Sequence, residues 1–175
     1  MLTKKYKGEH MDIRLARKED LKEIIKIESI CFPSAEAASE EVMTERFEAF
    51  SENFLVAVED NKVVGFINGC TTDKASLPDK LYHDVKLHNP NGRFQTVFGL
   101  DVLPQYRNKG TAAILLEEFI SLAKERGKNG MVLTCKDYLV HYYEKFGFVH
   151  EGISTSSHGG AKWNDMILLF EKALT

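Results

Sequence analysis

The chain has 175 residues, of which 43% are hydrophobic and 28% charged, a composition typical of a globular protein with a single core. No apolar run approaches the ~20 residues needed to cross a bilayer. The net charge of -3 is not the excess of positive charge that favours binding to a nucleic-acid backbone. We therefore expect one domain over residues 11–175, preceded by a flexible lead-in over residues 1–10, with neither a membrane nor a nucleic acid as partner.

The three cysteines, Cys31, Cys70 and Cys135, lie at wide spacings. Such spacings fit neither a disulfide framework nor a Cys-x-x-Cys metal site. Residues 1–10 are polar and basic and lack the apolar segment of a secretory signal. These features predict reduced thiols, no bound metal and a cytoplasmic location.

The first half of the chain predicts a strand, two helices and a hairpin. Alternation of polar and apolar residues marks the first strand, and helical spacing of apolar residues marks the segment after it. Ser39 is placed to cap the second helix. Two β-rich runs around a polar turn are typical of a hairpin. The predicted elements are a strand at 12–16, a helix through 21–28, a helix at 40–50, and strands at 54–58 and 63–69.

A long polar loop over residues 71–93 opens the second half. We interpret residues 73–91 as a lid or a substrate-side insertion, with a plain surface loop as the alternative. The elements predicted after it are a strand at 94–103, a helix at 113–126, a strand at 131–135, a short helix at 138–146, a strand from 148 and a strand at 166–170. The order β-α-α-β-β-β-α-β-α-β-β predicts a mixed α/β domain.

The turn from Arg107 to Ala112 lies between the fourth predicted strand and the helix that begins at Ala113. A turn of small residues at a helix entrance leaves backbone N–H groups pointing outward, where the helix dipole also favours negative charge. Gly110 removes the side chain that would block a ligand. The turn is therefore a candidate phosphate-binding loop, although such a turn can also do no more than connect two elements.

This Arg-x-x-Gly-x-Ala turn, the element order and the run Tyr142-Tyr143-Glu144-Lys145-Phe146-Gly147-Phe148 resemble the GNAT superfamily of acyl-CoA-dependent N-acetyltransferases over residues 12–170. Segments 87–93, 100–109 and 135–148 are similar to its arylalkylamine (serotonin) N-acetyltransferase branch. The resemblance implies a mostly antiparallel sheet whose fourth and fifth strands splay apart to form the cofactor cleft.

The resemblance also implies how acetyl-CoA would be held. The pantetheine arm would pair with the backbone of Leu100, Asp101 and Val102. The side chains of Arg107 and Lys109 could add charge near the phosphates, or could be solvated. Tyr143 matches the family tyrosine that contacts the cofactor and acts as the acid for the departing thiolate. The N–H groups implied for the pyrophosphate are those of Asn108, Lys109, Gly110, Thr111, Ala112 and Ala113.

The general base is where the chain departs from the arylalkylamine branch. The two strand histidines of that branch correspond to Thr96 and Phe98, neither of which can act as a base near pH 7. The proton could instead pass to another side chain or to a water chain, or the amine could be less basic. Each candidate side chain could equally have a surface role. The candidates are Glu28, Asp101, His83, His88 and His141.

The resemblance implies an acetyltransferase that moves the acetyl group of acetyl-CoA to a primary amine by direct attack in a ternary complex. We expect a small-molecule amine, with a protein or peptide amine as the alternative, received by residues 31–50 and the 71–93 loop. We also expect a monomer or homodimer. The missing histidines keep open an acyl-CoA-binding sensor with little or no turnover. A nucleotide-dependent oxidoreductase is disfavoured because the Gly-x-Gly-x-x-Gly spacing is missing.

Overall fold

The computed structural model describes Lys4–Lys5 and residues 11–172. The chain forms two compact units, one from residues 1–69 and 99–119 and the other from residues 70–98 and 120–175. The lead-in predicted for residues 1–10 falls outside the described residues apart from the strand Lys4–Lys5. The assignment of residues 11–175 to one domain stays a prediction.

Ten strands and five α-helices are assigned among the described residues. The strands are β1 (Lys4–Lys5), β2 (Met11–Leu15), β3 (Phe54–Glu59), β4 (Lys62–Asn68), β5 (Thr71–Thr72), β6 (Phe94–Val97), β7 (Gly99–Val102), β8 (Gly130–Cys135), β9 (Val149–Ile153) and β10 (Asn164–Leu169). The helices are α1 (Leu21–Cys31), α2 (Glu40–Phe50), α3 (Lys80–His83), α4 (Thr111–Glu125) and α5 (Val140–Glu144).

The first unit is built on an antiparallel sheet in the order β1-β2-β3-β4-β7. The predicted hairpin is confirmed, and its turn residues Asp60 and Asn61 have φ of 49° and 63°. These left-handed values match a tight hairpin turn, which Asn and Asp tolerate well. Helix α1 packs against β4 and β7.

Helices α1 and α2 of the first unit are each preceded by a polar side chain that accepts a backbone N–H. Ser39 Oγ accepts a hydrogen bond from Val42 N at 3.2 Å, which confirms the predicted cap of α2. Before α1, the Asp20 carboxylate accepts from Arg17 N at 2.7 Å and pairs with Arg14 at 2.6 Å. This ion pair, which the sequence pattern did not reveal, fixes the entrance to α1.

The second unit carries a sheet in the order β5-β6-β8-β10-β9. Its pairings are antiparallel except for β6 with β8, which are parallel. The predicted loop over 71–93 contains β5 and α3. Lys128 Nζ donates to the carbonyl oxygens of Pro90, at 3.1 Å, and Gly92, at 2.7 Å, and so anchors the end of the loop.

The strand predicted over 94–103 is divided at Phe98. Residues Phe94–Val97 pair with β8, whereas Gly99–Val102 pair with β4 in the other sheet. An apolar run is compatible with either partner, so the division could not be read from periodicity. The pairing between the fourth predicted strand (94–103) and the fifth (131–135) therefore ends at Val97. The predicted mixed α/β fold with mostly antiparallel strands is confirmed.

Candidate active site

The backbone of β7 presents two residues on the edge that faces away from β4. Leu103 N donates to Val64 O at 2.9 Å. Because alternate residues of a strand direct their N–H and C=O groups to opposite sides, Asp101 also faces β4, while Leu100 and Val102 face away. Leu100 and Val102 can therefore pair with an extended ligand. The prediction that the backbone of Asp101 also pairs with the pantetheine arm is not supported, because its N–H and C=O groups are directed at β4.

The carbonyl of Val102 is the acceptor for two side chains. It receives Arg107 Nε at 2.9 Å and the Cys31 thiol at 3.4 Å. A second guanidinium nitrogen of Arg107 lies 3.5 Å from Cys31 Sγ. Burial raises the pKa of the Cys31 thiol although Arg107 opposes the shift, so the thiol stays protonated near neutral pH. Arg107 is thus held against β7 and α1.

The other predicted cationic side chain, Lys109, also contacts protein groups. Its Nζ lies 3.6 Å from Glu59 Oε1 and 5.5 Å from the centroid of the Tyr106 ring. In this arrangement the charge of Lys109 is directed towards β3 and the turn before α4. The Lys109 side chain therefore contacts protein groups in this structure, and its predicted contact with a cofactor phosphate stays a prediction.

The turn into α4 contains two residues with left-handed backbone conformation. Asn108 and Gly110 adopt φ of 64° and 81°. A Cβ at Gly110 would meet nothing within 4 Å, so the space above it is open. The bond from Ile114 N to Gly110 O, at 3.0 Å, is the first of the helix. The N–H groups of residues 111–113 precede that bond and are free of i→i−4 partners.

Three buried oxygen-bearing side chains converge beside β7. A Cβ at Gly99 would lie 3.1 Å from Asp101 Oδ1, 3.5 Å from Glu28 Oε2 and 3.6 Å from Asn68 Oδ1. The exposed fractions are 1% for Asp101, 5% for Glu28 and 1% for Asn68. Glu28 Oε1 accepts from Ala38 N at 3.2 Å. The missing side chain at Gly99 leaves room for this set, which we call the acid cluster (Glu28, Asn68 and Asp101).

The acid cluster has an unusual charge state. Burial, the largest cause, raises the pKa of the Asp101 carboxyl well above its ordinary value. The adjacent Glu28 carboxyl raises that pKa further, Cys31 adds to the increase, and Arg107 opposes it. Burial and the neighbouring carboxyl therefore favour the neutral form of Asp101.

In the part of the chain that the structure describes, the histidines proposed as bases do not lie beside buried carboxyls as Glu28 and Asp101 do. The His141 side chain is 93% exposed and lies 3.5 Å from Glu144 Oε1. His88 Nδ1 accepts from Thr71 N at 3.1 Å, which gives it a structural role in the loop. His83 is exposed. Of the candidates, the structure brings Glu28 and Asp101 together.

The positions that correspond to the two family histidines serve the fold of the second unit. Thr96 is fully buried and its hydroxyl donates to Cys70 O at 3.0 Å. The Phe98 ring packs against Tyr82, with centroids 4.8 Å apart. Neither side chain can accept a proton from an amine.

Tyr143 lies on α5 in the second unit and is 8% exposed. Its ring makes edge contacts with Tyr142 and Phe148, at centroid distances of 5.3 and 5.9 Å. Gly147, with φ of 95°, follows the helix and lets the chain turn into β9. The phenol is thus carried on a ring whose position is fixed by aromatic packing.

Asn68 is the member of the acid cluster that sequence reasoning missed. In the sequence, Asn68 could have been noticed as a polar residue directly after the apolar residues 63–67 of β4. Glu28 gave a related signal, since it follows Ile24 and Ile27 on the buried side of α1. A carboxyl at a core position needs a partner or a proton.

Three further properties concern the described part of the chain. Within residues 11–172, no group of three or more His, Cys, Asp or Glu side chains is arranged to hold a metal ion. No helix among the described residues is long and apolar enough to cross a membrane. The three cysteines are thiols and form no disulfide.

The model of the acetyltransferase (GNAT) family matches residues 21–148. The chain belongs to the GNAT acetyltransferase family. The match includes α1 and the acid cluster, the cradle before α4, and Tyr143. The family membership inferred from the motifs is therefore confirmed.

Curated relatives of this GNAT protein have modest sequence identity. Serotonin N-acetyltransferase of Mesocricetus auratus is 35% identical over 91 residues, which cover 51% of this chain and 42% of the relative. N-alpha-acetyltransferase of Saccharolobus solfataricus is 32% identical over 118 residues, covering 66% of this chain and 64% of the relative. The chain thus spans about half the length of the curated relatives it matches.

Solved structures share the GNAT fold at lower identity. The loading GNATL domain of CurA from Lyngbya majuscula matches with a TM-score of 0.79 at 16% identity, covering 91% of this chain and 97% of that domain. A GNAT family acetyltransferase from Brucella melitensis, solved in complex with acetyl-CoA, matches with a TM-score of 0.61 at 20% identity, covering 96% and 93%. At these identities the similarity establishes the fold.

Proposed function

We propose that this protein transfers an acetyl group from acetyl-CoA to a primary amine by direct attack in a ternary complex. The observation that carries the proposal is the turn before α4, where Gly110 has φ of 81° with open space above it. The N–H groups at the start of α4, which have no i→i−4 partners, suit a diphosphate. Family membership and the names of the relatives support the same chemistry.

In this proposal the cofactor binds along β7 and the entrance of α4. The diphosphate accepts hydrogen bonds from the N–H groups of residues 108–113, where the helix dipole favours negative charge. The pantetheine arm pairs with the backbone of Leu100 and the N–H of Val102, as an added strand would. Arg107, held at the Val102 carbonyl, keeps positive charge near this path.

The reaction requires three proton and charge movements. An alkyl ammonium, with an ordinary pKa near 10.4, must lose a proton before its nitrogen attacks the thioester carbon. The carbonyl oxygen then becomes an oxyanion, which a backbone N–H of β7 can stabilise. When the carbon–sulfur bond breaks, the CoA thiolate leaves. We assign the proton it receives to the hydroxyl of Tyr143.

The acceptor is best described as a primary amine of a small molecule. Serotonin N-acetyltransferase and N-alpha-acetyltransferase are named for acceptors of different kinds, so similarity alone does not choose between them. Glu40 and Glu41 on α2 offer negative charge to a cationic acceptor. We further propose that the protein acts in the cytoplasm, which suits its three thiols, and acts as a monomer or homodimer.

Release of the CoA thiol from acetyl-CoA, measured across a panel of primary amines, tests this function. We expect amine-dependent release at a rate above the hydrolysis seen without amine, together with a stoichiometric acetylated amine detected by mass spectrometry. Binding of CoA without release for any amine between pH 6 and pH 10 would contradict the proposal. That result would favour the alternative of an acyl-CoA-binding sensor. This alternative is considered because Thr96 and Phe98 occupy the positions of the two histidines of the arylalkylamine branch.

A further inference from the structure

We propose that Glu28 and Asp101 act together as the acceptor of the proton that the amine loses, with Glu28 receiving it and Asp101 as its proton-sharing partner. This inference rests on the proposed acetyltransferase function and assigns a step that Thr96 and Phe98 cannot perform. Glu28 lies on α1, Asp101 on β7 and the supporting Asn68 on β4, all in the first unit.

Buried acceptors outnumber donors in the acid cluster. Glu28 Oε2, both carboxyl oxygens of Asp101 and Asn68 Oδ1 are buried and receive no N–H or O–H from fixed donors in the part of the chain that the structure describes. A buried acceptor without a donor costs about 1–3 kcal/mol. One proton between Glu28 and Asp101 supplies a hydrogen bond inside the set. The remaining oxygens can accept further donors that arrive with a substrate or water.

Glu28 contacts the segment between α1 and α2 with one carboxyl oxygen and faces β7 with the other. Its Oε1 accepts from Ala38 N, in the segment between α1 and α2, while its Oε2 turns towards Gly99 and Asp101. The segment around Ala38 belongs to the region predicted to receive the amine. The backbone edge of Leu100 and Val102, proposed to hold the pantetheine arm, belongs to the same strand as Asp101. Glu28 therefore connects the predicted amine side with the strand of the cofactor.

The proposed step balances in atoms and charge. An N–H bond of the ammonium breaks and its electron pair stays on nitrogen. The proton forms an O–H bond on Glu28, so the singly protonated pair, with charge -1, becomes a neutral pair of carboxylic acids. The neutral amine then attacks the thioester carbon, and its nitrogen loses a second proton as the carbon–sulfur bond breaks and the amide forms. That second proton replaces the one that Tyr143 gives to the thiolate, and the pair returns one proton to water. No oxidant, metal or further reactant is needed.

The step gives activity a defined dependence on pH. At low pH the pair already holds both protons and cannot accept another, so kcat/KM falls as pH falls. Asp101→Asn replaces the shared O–H with the N–H of an amide, which is a weaker donor to the remaining carboxylate. A hydrogen bond to the charged form favours ionisation, so weakening this bond lets the carboxylate take up a proton at higher pH. We therefore expect the acid limb of the profile to move up by about one pH unit.

Glu28→Gln should have the larger effect, because it removes the acceptor while preserving shape. We expect kcat at pH 7 to fall about 100-fold. The loss should shrink as pH approaches about 10.4, where an alkyl amine deprotonates in water. It should also shrink at pH 7 for an amine of lower pKa. A residue with a purely structural role would reduce activity equally at every pH.

Glu117→Gln is the matched control, since Glu117 is an exposed carboxylate on α4. This variant should retain the wild-type profile. Calorimetric titration with CoA should give wild-type affinity for all three variants, which separates loss of the proton acceptor from loss of the fold.

An unmoved acid limb in Asp101→Asn, or wild-type kcat at pH 7 in Glu28→Gln, would overturn the assignment while leaving the acetyltransferase function intact. Wild-type protein that binds CoA but releases no thiol would overturn the function itself. If the variants fail to fold, carbon-13 NMR titration of side-chain carboxyls in the wild type still decides. A carboxyl that keeps its proton at neutral pH supports the pair, and titration of every carboxyl below about pH 5 would exclude it.

Discussion

Replacing Gly110 with glutamate is expected to raise the dissociation constant of acetyl-CoA about 100-fold, equivalent to about 2.7 kcal/mol. The added side chain would occupy the open space above the cradle and bring a negative charge to the place proposed for the diphosphate. The left-handed φ of 81° adds backbone strain of about 1 kcal/mol for any residue with a Cβ. Isothermal titration calorimetry with acetyl-CoA measures the change.

Gly127→Glu provides a control matched in backbone conformation. Gly127 follows α4, has φ of 72°, and a Cβ there would also meet nothing within 4 Å. Its replacement should cost similar thermal stability and leave acetyl-CoA affinity unchanged. Equal affinities of wild type and the Gly110 variant, or equal losses in the two variants, would remove the cradle assignment.

Tyr143→Phe should lower kcat by about 100-fold or more, with little change in acetyl-CoA affinity. Phenylalanine keeps the edge contacts of the ring with Tyr142 and Phe148, so the fold should persist. The missing hydroxyl can no longer donate a proton to the leaving thiolate. An acyl donor whose thiol has a lower pKa should therefore lose less activity in the variant than acetyl-CoA does.

Tyr142→Phe serves as the comparison, because it deletes a hydroxyl from the neighbouring ring on the same helix. We expect wild-type kcat for this variant. Stopped-flow measurement of thiol release with both acyl donors would separate the two tyrosines. Wild-type kcat in Tyr143→Phe, or an equal loss with both donors, would exclude the acid role.

Local signals in the sequence were sufficient for much of the fold. Ser39 was predicted as a cap because capping depends on residues within one helical turn. The hairpin was predicted because Asp60 and Asn61 lie between two β-rich runs. The division of the strand at Phe98 was not predicted, because it depends on which distant strand each half pairs with. Pairing with a strand that is distant in sequence does not change the pattern of polar and apolar residues.

The same distinction applies to the candidate site. The open turn at Gly110 could be identified because a glycine and a helix start are adjacent in sequence, and its binding of a diphosphate stays a proposal. The acid cluster could not, because Glu28, Asn68 and Asp101 come from three elements and meet only in the folded unit. The sequence suggested Glu28 and Asp101 as separate candidates. Their shared proton follows from burial and proximity, which only the structure supplies.

A crystal structure of the protein with CoA tests the central claim most directly. We predict diphosphate oxygens within about 3 Å of backbone nitrogens of residues 108–113, with the pantetheine arm hydrogen-bonded to Leu100 and Val102. A diphosphate bound away from the start of α4, with those N–H groups facing only water, would contradict the account.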